Sequence, residues 1–179
     1  MSTKQQNINH QSFSEAAIWG LMRQIYDPEI PVISIVDLGI VRAVEVSSTV
    51  NNLNPKIIIT ITPTYSGCPA MDVIGMNIRM SLLEHGFKNM EIKTNLSPAW
   101  TTDWMSAEGK EKLRAFGIAP PNPSQSVCSP AQFQEEEVVQ CPHCNAHNTK
   151  MVSRFGSTAC KALYQCNECQ EPFDYFKCH

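Results

Sequence analysis

The stretch "KIIITITPTYSGCPAMDVI", residues 56 to 74, runs from one strand through a loop that carries a cysteine into a helix. The β-branched run "KIIITIT" predicts a strand. Pro69 suits the first turn of a helix, and Gly86 suits its C-cap, so we expect the helix to end near His85. Val73, Ile74 and Ile78 should lie on one face of it. Cys68 is then placed at the junction of a strand and a helix.

The segments on either side of this unit complete a small domain. "IVRAVEV" (40–46) predicts a strand, and the turn "NNLNP" after it predicts a hairpin with the strand at 56–62. "SFSEAAIWGLMRQIYDP" (12–28) predicts an amphipathic helix that starts with a capping box, Ser12 to Glu15. A third strand, "NMEIKTNL", and a short helix, "SAEGKEKLRAFG", follow. We therefore expect an α+β domain of order αββαβ over residues 12–118.

Residues 119–137 have the composition of a linker, and a cysteine-rich unit follows them at 138–179. The linker, "APPNPSQSVCSPAQFQEEE", combines four prolines with polar residues and an acidic run. The unit after it contains "CPHC" and "CNEC", separated by 21 residues. The order of the chain is thus one α+β domain, a linker and a small C-terminal module.

The two Cys-x-x-Cys motifs predict a zinc-ribbon-like module. Two such turns supply four thiolates to a tetrahedral Zn²⁺, and a unit of about 40 residues rarely folds on an apolar core alone. Iron or an iron–sulfur cluster on the same thiolates, and a redox role for one motif, are the alternatives. Cys160 and Cys178 are either buried small residues or further ligands. The predicted ligands are Cys141, Cys144, Cys166 and Cys169.

Composition and charge narrow the function classes. The formal net charge is −3 and no long basic cluster occurs, so a nucleic acid is a poor candidate partner. The chain shows no apolar run that could be a signal peptide or a membrane span, which predicts a cytoplasmic protein without a membrane partner. It also lacks di-iron, dinucleotide and P-loop motifs, so we expect that it is not an enzyme.

Cys68 is the candidate functional thiol of the first domain. A Gly-Cys-Pro turn at a helix start exposes free backbone N–H groups and the positive end of the helix dipole, which predicts a lowered pKa and a reactive or metal-handling thiol. Asp72, in the first turn of the helix, acts in the opposite direction. One sulfur cannot hold a cluster, so a partner protein, a second protomer in a homodimer, or the cysteine-rich tail must supply the other ligands.

Three segments carry a resemblance to known proteins. "DPEIPVISIVDLGIV" (27–41) and "TPTYSGCPAMDVI" (62–74) resemble the signature segments of the iron–sulfur assembly domain family to which SufT-type proteins belong. "RFGSTACKALYQCNECQEPFDYFKCH" (154–179) resembles the tail of the PaaD-type members of phenylacetate degradation. The resemblance implies that Cys68 handles iron or an iron–sulfur cluster transiently. It implies supporting roles for Asp27, Glu29, Thr62 and Thr64.

The resemblance also implies a function. It suggests an accessory or maturation factor for the multicomponent 1,2-phenylacetyl-CoA epoxidase that assists iron–sulfur or iron insertion. Its partners would be the epoxidase components, above all the iron–sulfur reductase. Two alternatives remain open at this point: a stoichiometric structural subunit of the oxygenase complex, and a zinc-ribbon nucleic-acid binder.

Overall fold

The computed structural model describes residues 14–47, 55–121 and 138–177, which form two sheets and three α-helices. The α+β class and the αββαβ order are as expected. The first part contains α1 (Glu15–Met22), β1 (Val41–Ser47), β2 (Lys56–Ile61), α2 (Ala70–Glu84), β3 (Met90–Thr94), a 3-10 turn (Thr102–Trp104) and α3 (Ala107–Ala115). The remaining strands are β4 (Ile118–Ala119), β5 (Thr149–Ser153), β6 (Lys161–Cys166) and β7 (Pro172–Phe176).

The first sheet has the strand order β1-β2-β3. β1 and β2 pair antiparallel, which confirms the predicted hairpin, whereas β2 and β3 pair in parallel. Parallel neighbours need a crossover, and α2 provides it. The loop from 62 to 69 therefore leaves the central strand and enters α2, and this connection places Cys68 at one end of the sheet.

The central strand and α2 supply much of the first core. Alternate residues of β2 are buried, and α2 buries positions at helical spacing. Val73 is 38 % exposed and does not share the buried face with Ile74 and Ile78, contrary to the expectation from the sequence. The buried positions of these two elements are Ile57, Ile59, Ile61, Ala70, Ile74, Ile78 and Leu82.

The first helix starts later than the capping box predicts. Ser14 is the N-cap, and its side chain accepts a hydrogen bond from the Ala17 amide at 3.2 Å. Such a side-chain cap satisfies one of the free amides of the first turn and is typically worth about 1 kcal/mol. Glu15 begins the helix. Ser12 lies outside the described residues.

The Leu38–Gly39 turn holds the irregular segment at 27–40 against the rest of the first domain. This segment carries Asp27 and Glu29. Gly39 has φ +75°, and a Cβ there would lie 2.5 Å from the carbonyl oxygen of Trp104, so glycine is required. The indole N–H of Trp100 donates to the Leu38 carbonyl at 3.0 Å. The turn thereby joins the irregular segment at 27–40 to the chain that follows β3.

The second sheet has the order β4-β7-β6-β5 and contains residues from both sides of the predicted linker. β4, directly after α3, pairs in parallel with β7, while β5, β6 and β7 pair antiparallel. The predicted linker begins within β4, at Ala119, and its residues 122–137 lie outside the described residues. The second sheet therefore includes a strand that follows directly from the first part of the chain.

The two parts of the chain pack directly on each other. Phe176 and Cys160, from the C-terminal part, belong to the buried cluster of the first domain. The ring of Phe176 meets that of Trp100 edge-to-face, with centroids 6.0 Å apart, an arrangement worth about 0.5–1.5 kcal/mol beyond burial. Among the described residues, no helix has the length and apolar character needed to cross a membrane.

Candidate functional site

The structure brings the four predicted metal ligands together. Their sulfur atoms all lie within 4.8 Å of one another. The Sγ atoms of Cys141 and Cys169 are 3.8 Å apart, and those of Cys144 and Cys166 are 3.5 Å apart. A tetrahedron with Zn–S bonds of about 2.3 Å has sulfur–sulfur edges of about 3.8 Å, so the donor set fits one tetrahedral metal ion.

The two cysteine turns are built alike. In each turn the first cysteine sulfur accepts backbone N–H groups from the residues two and three positions later: His143 and Cys144 for Cys141, and Glu168 and Cys169 for Cys166. The residue after each second cysteine, Asn145 or Gln170, has φ +63°. This conformation lets the chain turn back into a strand, since the Cys141 and Cys166 amides then donate to the carbonyls of Ala146 and Glu171.

Hydrogen bonds from backbone amides favour the thiolate form of these cysteines, which is the form that binds a metal ion. The N–H groups of Cys169 and Glu168 hold the pKa of Cys166 to about 7. For Cys169 a hydrogen bond from the Glu171 amide acts in the same direction, but burial and the neighbouring thiols raise its pKa to about 12. Four thiols this close cannot all ionise without a positive ion among them. A bound metal ion supplies that charge, so these residues form a metal-binding group.

Cys68 lies on the loop between β2 and α2, as expected. It is half-buried, its amide donates to the Tyr65 carbonyl at 3.3 Å, and its carbonyl accepts from the Met71 amide at 3.2 Å. Pro69 is the N-cap of α2 and makes no side-chain cap. The Cys68 thiol therefore faces the start of the helix from one residue before its cap.

The pKa of Cys68 is raised, so the expectation of an activated thiolate is wrong. Burial is the largest cause, and the negative charges of Glu29 and Asp27 add to it. A hydrogen bond from the Ala70 amide and one from the Tyr65 side chain act in the opposite direction. The helix start thus contributes as predicted, through one amide, but desolvation and two carboxylates outweigh it. These surroundings favour the thiol of Cys68 over its thiolate.

Asp27 and Glu29 lie on the same side of the molecule as Cys68. Asp27 is buried, and its Oδ1 accepts from the amides of Glu29 at 2.8 Å and Ile30 at 2.9 Å. Burial raises the pKa of Asp27 despite these two bonds. Glu29 is half-buried. Asp27 therefore stabilises the turn after α1, and both carboxylates also act electrostatically on the Cys68 thiol.

Thr62 and Thr64 line a pocket next to the Cys68 loop and do not belong to the group of Cys68, Asp27 and Glu29. Both are buried, and together with Tyr65, Leu96 and Trp100 they line a pocket of about 210 Å³ beside the Cys68 loop. The predicted site residues of the first domain thus fall into two neighbouring groups. Cys68, Asp27 and Glu29 form one, and the two threonines belong to the wall of the pocket.

Two residues that the sequence did not assign to the site complete the surroundings of Glu29. The Cys160 thiol lies 3.9 Å from Oε2 of Glu29 and 3.0 Å from the Thr158 hydroxyl. The Tyr65 side chain is hydrogen-bonded to the Cys68 thiol. Burial first, and then the charges of Cys68, Glu29 and Cys160, raise the pKa of Tyr65 to about 12. A cysteine outside both Cys-x-x-Cys motifs was the signal for Cys160. No pattern pointed to Tyr65.

Two protein-family models match successive parts of the chain. The family model of the iron–sulfur cluster assembly protein matches residues 15–86, and that of the PaaD zinc beta ribbon domain matches residues 125–177. Fold and site therefore define a protein that joins an iron–sulfur assembly domain to a zinc-ribbon domain with four clustered cysteines. The chain belongs to the PaaD family, which confirms the resemblance read from its sequence.

Two relatives illustrate the match. An Escherichia coli protein named provisionally as a subunit of 1,2-phenylacetyl-CoA epoxidase is 48% identical over 161 residues, which cover 90% of this chain and 91% of the relative. A Porphyromonas gingivalis protein named as an Fe-S protein maturation auxiliary factor is 35% identical over 101 residues, which cover 56% of this chain and 90% of the relative.

Among solved structures, a domain of unknown function from Bacillus anthracis matches 55% of this chain and 90% of its own, with 28% identity and a TM-score of 0.48.

Proposed function

We propose that this protein is an accessory factor that helps to mature the multicomponent 1,2-phenylacetyl-CoA epoxidase of phenylacetate degradation. Its task is to assist the insertion of iron or an iron–sulfur cluster into the epoxidase components, above all the iron–sulfur reductase. One observation carries the proposal: the relative named for this epoxidase is 48% identical over 161 residues, 90% of the chain, and the same chain matches an iron–sulfur cluster assembly model.

In this proposal the two cysteine groups have separate tasks. Cys141, Cys144, Cys166 and Cys169 hold a structural zinc ion, which supplies the folding energy that a small ribbon lacks. Cys68 is the thiol that meets the iron cargo, with Asp27 and Glu29 beside it and Thr62 and Thr64 in the neighbouring pocket wall. The protein is not itself the catalyst. It acts in the cytoplasm, where its thiols stay reduced.

Co-expression with the epoxidase components tests the proposal. Cys68→Ser keeps a small polar side chain in the turn and leaves the four ribbon ligands in place. We expect it to fold, to retain the ribbon metal and to leave the reductase depleted in iron and the epoxidase inactive. Cys128→Ser, which makes the same change at the cysteine of the predicted linker, is the matched control and should support full maturation. An iron-replete, active epoxidase formed with Cys68→Ser, or with no PaaD-type protein at all, would refute the proposal.

A second candidate, a stoichiometric structural subunit of the oxygenase, is favoured by the name of the Escherichia coli relative, which calls that protein a subunit. Purification of the assembled epoxidase separates the two. A structural subunit remains at a fixed ratio in the active complex, and its removal abolishes activity. An accessory factor is absent from a complex that keeps full activity once it has been matured.

A further inference from the structure

The pocket of about 210 Å³ beside the Cys68 loop lies beyond the carboxyl ends of two parallel strands. One part of its wall comes from residues 62–66, which follow β2, and the other from residues between 96 and 100, which follow β3. In sheets with parallel strands, the crevice outside the carboxyl ends of the strands is a common place for a ligand. The fold therefore puts this pocket at a position suited to binding.

The walls of the pocket are held in place by contacts outside it. The indole N–H of Trp100 donates to the Leu38 carbonyl at 3.0 Å, and the Trp100 ring meets that of Phe176 edge-to-face. On the other wall, the Thr62 amide donates to the Ile40 carbonyl at 2.9 Å. Sites for small ligands are usually formed in advance in this way. The pocket therefore needs little rearrangement to receive a ligand.

Thr62 and Thr64 supply the polar part of the pocket wall. The two residues are only 2 % and 8 % exposed. Neither hydroxyl makes a hydrogen bond with another residue among those that the structure describes. In the same part of the chain, every fully buried side-chain oxygen or nitrogen atom has a hydrogen-bond partner, so these two hydroxyls must open into the pocket that they line. A hydroxyl both donates and accepts hydrogen bonds, and the two together can bind a polar atom of a ligand.

The rest of the lining decides which ligands fit. None of the eight described residues that line the pocket is Asp, Glu, Lys, Arg or His. A charged ligand would lose its hydration there without an opposite charge in return, which disfavours phosphates, carboxylates and metal ions. Pro63, Leu96 and Trp100 offer apolar surface instead. The volume is smaller than the roughly 300–1,000 Å³ of sites for drug-sized ligands, so the pocket fits one small group.

We propose that this pocket binds a small uncharged group with an aromatic body and a hydroxyl at one end, which is the chemistry of a phenol. The ring packs on the apolar wall that includes Trp100, and the hydroxyl forms hydrogen bonds with Thr62 and Thr64. Tyr65 lines the pocket and is hydrogen-bonded to the Cys68 thiol, so the bound group lies beside the Cys68 loop. The pocket does not rest on the proposed maturation role.

An NMR titration of the isotope-labelled, zinc-loaded full-length protein with p-cresol tests the proposal. We expect saturable shifts of the backbone signals of residues 64–66 and of the indole N–H signal of Trp100. The dissociation constant should be on the order of millimolar for so small a ligand. The anion p-toluate should bind at least fivefold more weakly, because the pocket offers its charge no partner.

The blocked amino acid N-acetyl-tyrosinamide distinguishes the two sources of a phenol. If it binds as p-cresol does, the pocket receives a tyrosine side chain of another protein. If it is excluded while p-cresol binds, the pocket receives a free small molecule. Either result supports a phenol site.

Thr62→Val and Thr64→Val each replace a hydroxyl by a methyl group of the same shape. Each should weaken p-cresol binding about fivefold or more, whereas toluene, which has no hydroxyl, should bind these variants at least as well as the wild type. Thr60→Val makes the same change on β2 outside the pocket lining and should titrate like the wild type. If a threonine variant fails to fold, Leu96→Ala decides, because this side chain is 60 % exposed and its loss should weaken the binding of p-cresol.

Several outcomes would overturn the pocket. These are the absence of saturable shifts with p-cresol, binding of p-toluate as tight as that of p-cresol, equal effects of the threonine variants on p-cresol and toluene, and wild-type p-cresol binding by Leu96→Ala. The titration uses no epoxidase component, so its failure would leave the proposed function standing. Full maturation by Cys68→Ser would refute the proposed function and leave the pocket standing.

Discussion

The two cysteine groups of this protein differ in how they are assembled. In the ribbon, each pair of ligands comes from one short turn, and local amides orient the sulfurs before any metal arrives. Between the domains, Cys160 meets Glu29, which lies 131 positions earlier in the chain, and the charge of Glu29 also acts on Cys68, so both arrangements exist only through tertiary packing. The comparison teaches that local turns can gather four sulfurs into one group, whereas the packing of two domains leaves the Cys68 and Cys160 thiols outside any such group among the described residues.

The pKa values of the thiols depend on which backbone amides reach each sulfur. Two backbone N–H groups hold the pKa of Cys166 to about 7. Burial and the charges of Glu29 and Asp27 raise the pKa of Cys160 to about 11, although the Thr158 hydroxyl opposes them. Within the ribbon, however, burial also raises the pKa of Cys141, and burial and the neighbouring thiols raise that of Cys169 to about 12 against a hydrogen bond from the Glu171 amide, so a thiolate without a cation is favoured at Cys166 and not at these two sulfurs.

The largest expected effect is the loss of one ribbon ligand. Cys166→Ser should remove close to one equivalent of metal and make residues 138–177 sensitive to protease, since a structural zinc site of this type contributes an apparent 10–16 kcal/mol or so. Metal analysis and limited proteolysis check this. The first domain should keep its own sheet and lose its contacts with the ribbon, namely the packing of Phe176 on Trp100, the pairing of β4 with β7 and the contact of Cys160 with Glu29.

Cys160→Ser is the matched control for that experiment, because it changes a ribbon cysteine outside the four-sulfur group. It should keep the ribbon metal and the wild-type proteolysis pattern. Unchanged metal content in Cys166→Ser would show that the four thiolates do not form the main metal site, and the contrast between the two groups would disappear.

The sequence predicted the local features well. The ribbon ligands follow from two Cys-x-x-Cys spacings, and the strand–loop–helix around Cys68 follows from a β-branched run and Pro69. The contact between Cys160 and Glu29 joins residues 131 positions apart, so no spacing could indicate it. The Ala70 amide lies two residues after Cys68, so its hydrogen bond to the thiol could be predicted from the local sequence. The burial and the two carboxylates that raise the pKa of Cys68 come from tertiary packing and could not be predicted in this way.

The second prediction concerns Cys160 and alkaline pH. Its pKa rises from an ordinary 9.0 to about 11 in the folded protein. The folded state therefore holds its proton more tightly, and the resulting stability is complete below about pH 9 and is lost as the pH rises through about 11, by about 2–3 kcal/mol. Denaturant unfolding between pH 8 and 11 should show a steeper loss for the zinc-loaded wild type than for Cys160→Ala. Cys128→Ala should follow the wild type, and parallel curves for all three would contradict the buried thiol.

The smallest expected effect is on the reactivity of Cys68. With its pKa raised, the thiol should be alkylated by iodoacetamide at pH 8 more slowly than an unperturbed cysteine, because only the thiolate reacts. Glu29→Gln removes one of the charges that raise this pKa and should speed the reaction severalfold, while burial keeps it below the unperturbed rate. Peptide mapping by mass spectrometry follows the modification of Cys68 alone.

Glu84→Gln makes the same charge change on an exposed part of α2 and should leave the rate unchanged. Equal rates in both variants would mean that Glu29 does not act on Cys68, and Asp27 would then be the one carboxylate that raises the pKa of both Cys68 and Cys160.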